Sequence, residues 1–136
     1  MQERYLCRAK RIDNGEWECG CLIVSNDQDY RIATSLLESA DEPLYVVAYS
    51  VDLDTVCACV GFDDKNGNLI FEGDIVRHYN NPSYPELYDV GLILYQEDNA
   101  GFERTSRMHD DNVGIKVNCI YEVIGNKFDN PELLEV

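Results

Sequence analysis

The residues able to do chemistry in this 136-residue chain are six cysteines, two histidines and a few adjacent acid pairs. Cys19-Gly20-Cys21 and Cys57-Ala58-Cys59 share a C-x-C spacing. On a strand, residues i and i+2 point to one face, so each pair would line a single surface. Two such pairs facing each other would offer four thiolates to a tetrahedral zinc ion. The common zinc knuckles instead use C-x-x-C, whose turn lets both sulfurs converge, and a flat strand does not. The competing reading is a set of small core thiols, since free cysteine is among the most buried residue types. Cys19, Cys21, Cys57 and Cys59 are therefore weak metal candidates, and no cofactor is expected. A cytosolic setting keeps all six thiols reduced.

His78 and His109 are the side chains able to act as bases near neutral pH. His78 falls on a strand, and His109 sits in a turn beside Asp110-Asp111; both read as solvated. Asp63-Asp64 and Asp110-Asp111 read as hydrated turn acids. No nucleophile elbow, phosphate loop, H-E-x-x-H or dinucleotide fingerprint occurs. The run Asp63-Asp64-Lys65-Asn66-Gly67-Asn68 looks superficially like a calcium loop. Aligning Gly67 with the invariant glycine puts Phe62 and Gly73 where acidic ligands must stand, so an EF-hand is rejected. No catalytic residue is assigned and no enzyme is expected.

The elements that would hold these residues centre on Gly61 to Tyr79. Asn66-Gly67 between apolar runs is a strong hairpin signal, because both residues accept positive φ. Glu72-Gly73 supplies a second such site, at which the chain turns a corner into Asp74–Tyr79. Short strands separated by corners are how a small sheet curls into a barrel. Upstream, Asp13-Asn14-Gly15 joins two strand-like runs into an N-terminal hairpin, with Trp17 covering one face. Arg4, Arg8, Lys10 and Arg11 read as the solvent face of its first strand. Ile32, Ala33, Leu36, Leu37 and Ala40 recur at helical spacing and suggest a short helix near 32–40, although Ile32 and Thr34 suit a strand equally. Leu44 to Val51 reads as a buried strand. The two prolines of 80–86 predict a stiff loop, and Gly91 within Tyr88–Gln96 predicts a bulge or a close backbone approach. Asn130-Pro131 predicts a C-terminal helical turn capped by Asn130, with Leu133 or Leu134 docking.

The net charge is −15, spread over both halves of the chain. Direct binding to nucleic acid is not expected, because that needs clustered Lys and Arg. A basic partner is permitted. No run is long enough to span a membrane, and Met1-Gln2-Glu3-Arg4 does not open like a signal peptide, so a cytoplasmic location is expected.

Four stretches, Arg8–Trp17, Val51–Val56, Asp64–Val76 (DKNGNLIFEGDIV) and Val123–Leu134 (VIGNKFDNPELL), together resemble the YopX family of phage and prophage proteins in type and order. The resemblance covers nearly the whole chain. It implies a mainly β protein with a minor α contribution: a β-rich N-terminal subdomain over 1–55, then an SH3-like small barrel over 56–136. It also implies residence in a phage or prophage genome, in the bacterial host cytoplasm, and a tendency to self-associate. The family motif falls on Asn66, Gly67, Gly73, Asp74, Gly125 and Asn126, in structural roles. The chain departs from the pattern at Cys57-Ala58-Cys59-Val60 and in the longer segment Ser25–Tyr45. No biochemical activity carries over.

The expected function is that of an accessory protein acting by protein–protein contacts as a homo-oligomer, without catalysis. The alternatives are an acidic decoy that inhibits a host nucleic-acid-binding protein, and a cysteine-ligated zinc module.

Overall fold

The computed structural model of the chain describes residues 5–25, 29–39, 42–117 and 119–135. Among them lie eleven strands and the 3-10 turns Leu53–Thr55 and Pro131–Leu134, with no α-helix. The protein is mainly β, and its pairing is antiparallel in two sheets that do not close into a barrel. The chain divides into two compact units, Met1–Cys59 and Val60–Val136, so the boundary falls inside a strand a few residues beyond the 55/56 expected from sequence.

In the first unit β1 (Cys7–Lys10), β2 (Trp17–Val24), β3 (Tyr30–Ser39) and β4 (Glu42–Ser50) form consecutive antiparallel pairs, and the start of β5 (Cys57–Asp63) pairs with β1. The turn between β1 and β2 is made at Gly15, whose φ is +72°. A single bridge from Arg11 to Val51 ties the end of β4 back towards the end of β1. Ala9, Ile32 and Val51 are buried at the centre, with Leu22 and Tyr30 against them. Arg8 and Lys10 do not stand free on a solvent face: they lie over the Trp17 ring, at 4.8 and 5.4 Å.

The helix expected near 32–40 is not formed; β3 runs extended through 30–39, and Ala40 lies outside the described residues. The apolar spacing misleads because the pairing of β3 with β4 shifts register between Ala33 and Ser35 and again between Leu37 and Ser39. At the first shift the extra residue, Thr34, is on β3 and slips its two-residue alternation by one, so its apolar positions no longer alternate strictly; at the second the extra residue is on β4.

In the second unit the end of β5 pairs with β6 (Leu69–Phe71). The other strands are β7 (Asp74–Tyr79), β8 (Tyr88–Gln96), β9 (Gly101–Arg104), β10 (Val113–Gly114) and β11 (Ile120–Asn126). They pair in the order β10-β9-β8-β7-β11. Ile70, Val76, Ile93 and Tyr121 form the buried core. Each such aliphatic side chain contributes roughly 1.5–3 kcal/mol by leaving water. The two sheets do not close into the expected barrel, while the corner expected at Gly73 is present. There φ is +88°, and the N–H bonds to the Ile93 carbonyl at 2.9 Å, so the chain leaves the β6 ladder for the β7 sheet.

The loop 80–87 is two successive turns, closed by the bonds Tyr84 N–H to Asn81 O and Leu87 N–H to Tyr84 O. The C-terminal turn is present, but Asn130 does not cap it through its side chain. Its Oδ1 accepts from the Asn126 N–H at 3.2 Å instead. Leu133 lies so close to Gly125 that a Cβ there would meet its Cδ1 at 2.8 Å.

Candidate functional site

The two C-x-C pairs occupy different settings. Cys19 and Cys21 are exposed on β2, while Cys57 and Cys59 are buried on β5. Strand β1 stands between them, with Arg8 paired to Cys19 on one side and to Cys57 on the other. Two strand spacings separate the pairs by roughly 10 Å. Sulfurs on a single zinc each sit only about 2.3 Å from it. Among the described residues, no group of three or more His, Cys, Asp or Glu side chains converges as a metal set would. The structure thus places each pair on a strand, as the spacing suggested, without bringing the four thiols together.

The motif residues lie at three bends of the second unit. Gly67 has φ of +84° in the β5–β6 turn. Beside it stands Asp64, 7% exposed, and therefore not the hydrated turn acid expected. Its Oδ1 accepts from the backbone of Asn66 and Asn68, both at 2.9 Å, and its Oδ2 accepts from Val123 N–H at 2.9 Å. Burial pushes the Asp64 carboxyl up, but these hydrogen bonds more than offset it and hold the group below the usual range. Asp63 is exposed. At the corner after Gly73, Asp74 is 1% exposed and accepts from Phe71 N–H at 2.8 Å. At the closing bend, the Asn126 Oδ1 accepts from the N–H groups of Phe128 and Asp129 at 3.0 and 2.9 Å. Gly125 there makes room for the C-terminal turn.

Sequence reasoning missed a buried polar cluster on β7, β8 and the end of β9. Arg104, 3% exposed, donates to Asp89 at 2.7 Å, and Asp89 is 2% exposed. Asp89 also accepts from the Ser106 hydroxyl at 2.5 Å and the Arg107 N–H at 2.9 Å. Burial alone would raise its pKa; the Ser106, Arg104 and Arg107 donors reverse this and lower it to about 2. The other Arg104 terminal nitrogen lies 3.1 Å from His78 Nδ1. Guanidinium only donates, so His78 Nδ1 must accept, and its ring proton sits on Nε2. His78 is therefore half-buried and partnered, not the solvated side chain expected. Burial first, and Arg104 second, push its pKa down. His109, Asp110 and Asp111 are exposed. The one clue in the sequence was an acid inside the apolar run Tyr88–Tyr95, where a charge must find a partner. With every Asp89 acceptor engaged, the cluster acts as an internal strut between strands.

The remaining feature is an edge. Strand β4 ends the sheet of the first unit and pairs with β3 alone along Glu42–Tyr49 among the described residues. Leu44–Val51 reads in sequence as a buried strand; Val51 at its end is buried, but Val46 at the rim is 53% exposed. Pro43, which has no N–H to give a ladder, fits an edge position and not a central one. Alternate residues of such a strand present unpaired N–H and C=O groups outward. No helix among the described residues is long and apolar enough to cross a membrane.

The solved structures similar to this one include the crystal structure of protein EF1440 from Enterococcus faecalis. It shares 24% sequence identity and a TM-score of 0.60, over 95% of this chain and 96% of that one. At that identity the likeness speaks for the fold alone. No curated protein matches the chain. The sequence profile of the YopX protein family matches residues 7–135, which takes in the hairpin turn, the Gly73 corner and the closing bend together. The chain belongs to the YopX protein family.

Proposed function

We propose that this chain is a non-catalytic phage or prophage accessory protein of the bacterial cytoplasm that works through protein contacts and assembles with copies of itself. In this reading the second unit is an open roll of SH3-like type. The observation that carries the proposal is the β4 edge: a strand of core-like composition left at a rim. Its nine residues include one charge, Glu42, at the very start. Natural edges are usually blunted with charge or covered. An uncharged, apolar edge is a template for another strand, and a second β4 run antiparallel about a two-fold axis near Val46 would complete the ladder on both copies.

Light scattering across a concentration series tests this. The expected result is a dimer or larger closed oligomer, reduced to monomer by Val46→Lys with the far-ultraviolet spectrum unchanged. A strict monomer at the highest concentration, or an oligomer indifferent to Val46→Lys, would remove the edge-pairing reading.

A further inference from the structure

Two adjoining clefts in the second unit share Tyr79, Pro82 and Ile120 as walls. One, of about 280 Å³, is completed by Lys65 and Pro85. The other, of about 480 Å³, is completed by His78, Asn80 and Cys119. Together they reach the size of small-molecule sites, roughly 300–1,000 Å³ with apolar walls and few polar groups.

The charge around them runs against that of the protein. In a chain of net charge −15, no carboxylate lines either cleft. The Lys65 ammonium lies 4.6 Å from the centre of the Tyr79 ring and acts electrostatically on Glu122. Glu122 lies nearby, and is already engaged by the Tyr79 hydroxyl at 2.7 Å and by Arg77 at 3.6 Å. Lys65 and Arg77 thus act on one carboxylate, which Arg77 already occupies, and Lys65 is the cation that lines the cleft. His78 adds no charge near neutral pH, because Arg104 holds it as the neutral ring with its proton on Nε2.

We propose that this double cleft binds a small molecule with a flat apolar body and one anionic head. The body packs against Tyr79, Pro82 and Ile120, where ring and proline faces offer apolar contact. The head meets Lys65. This inference does not depend on self-assembly through β4, which lies in the other unit.

The probe pair is naphthalene-2-carboxylate and its neutral counterpart naphthalene-2-methanol, titrated into isotopically labelled full-length protein and followed by amide chemical shifts. Expected are saturable shifts centred on Lys65, Tyr79 and Ile120, with the carboxylate binding about tenfold tighter than the alcohol. Lys65→Met, at an exposed turn position, should keep the spectrum of the folded protein and abolish that preference. Absence of saturable shifts at millimolar probe overturns the proposal. So does equal binding of acid and alcohol, or a preference that survives Lys65→Met.

Discussion

The Asp64 carboxylate accepts a hydrogen bond from the backbone N–H of Val123 at 2.9 Å, across 59 positions of sequence. The same side chain organises its own turn through Asn66 and Asn68. One buried acid thus ties the β5–β6 hairpin to β11 beside the register shift between Val123 and Gly125. Asp64→Ala should destabilise the fold by about 2–3 kcal/mol, because a buried N–H loses its acceptor. Asp64→Asn should cost less, since one acceptor oxygen remains. Urea unfolding midpoints of the two variants check the order.

The Asp89–Arg104 pair predicts an acid limb in the stability curve. The folded-state pKa of Asp89 is lowered to about 2 from an ordinary 3.8. A depressed carboxylate contributes stability that is complete above the unfolded value and is lost as pH falls through the folded one. The loss should amount to about 2 kcal/mol between roughly pH 5 and pH 2. Asp89→Asn should cost about 3–5 kcal/mol at pH 7, because it leaves the Arg104 charge buried. It should also flatten that limb. Chemical unfolding across pH measures both.

His78 acts in the same direction at higher pH. Its folded pKa lies below the ordinary 6.5, so its contribution is present above that value and declines on acidification. His78→Gln should remove the loss of stability that begins near pH 6 without altering the Asp89 limb. A histidine resonance that titrates at or above the ordinary value would contradict the Arg104 contact.

Two glycines should fail for different reasons. At Gly91 a Cβ would collide with the Thr105 carbonyl, so Gly91→Ala must push β8 away from the residues that follow β9. At Gly67 a Cβ meets open space, but φ is +84°. Gly67→Ala should therefore cost only about 1–2 kcal/mol of backbone strain. Thermal melts of both should show the larger loss at Gly91.

The thiols should react in two classes. Cys19 and Cys21 are exposed, while Cys57 and Cys59 are each 2% exposed. A thiol reagent should label the first two in the native protein and the other two only on unfolding. Because β1 separates the pairs, metal analysis should find less than one zinc per chain. Stoichiometric zinc, or native labelling of Cys57, would show that the strands are arranged otherwise.

Local signals in the chain announced the bends. Asn14-Gly15, Asn66-Gly67 and Glu72-Gly73 carry their instruction in residues that tolerate positive φ, and Asn130-Pro131 announces the final turn. The motif Asp64–Val76 also carried the family, because turn residues at fixed offsets are readable without a structure. Elsewhere the alternation misled, as in β3, where an extra residue at Thr34 disguised a strand.

What the sequence determined by itself was mainly β character, the places where the chain reverses, and an acidic surface. Tertiary structure alone decided that Asp64 is buried, that Asp89, Arg104 and His78 meet, that β1 divides the cysteine pairs, and that a core-like strand ends at a rim. The physical reason is that bends depend on the dihedral freedom of one or two residues. Burial, ion pairing and edge position depend on which distant strands become neighbours, and neighbours are chosen by the packing of the whole unit.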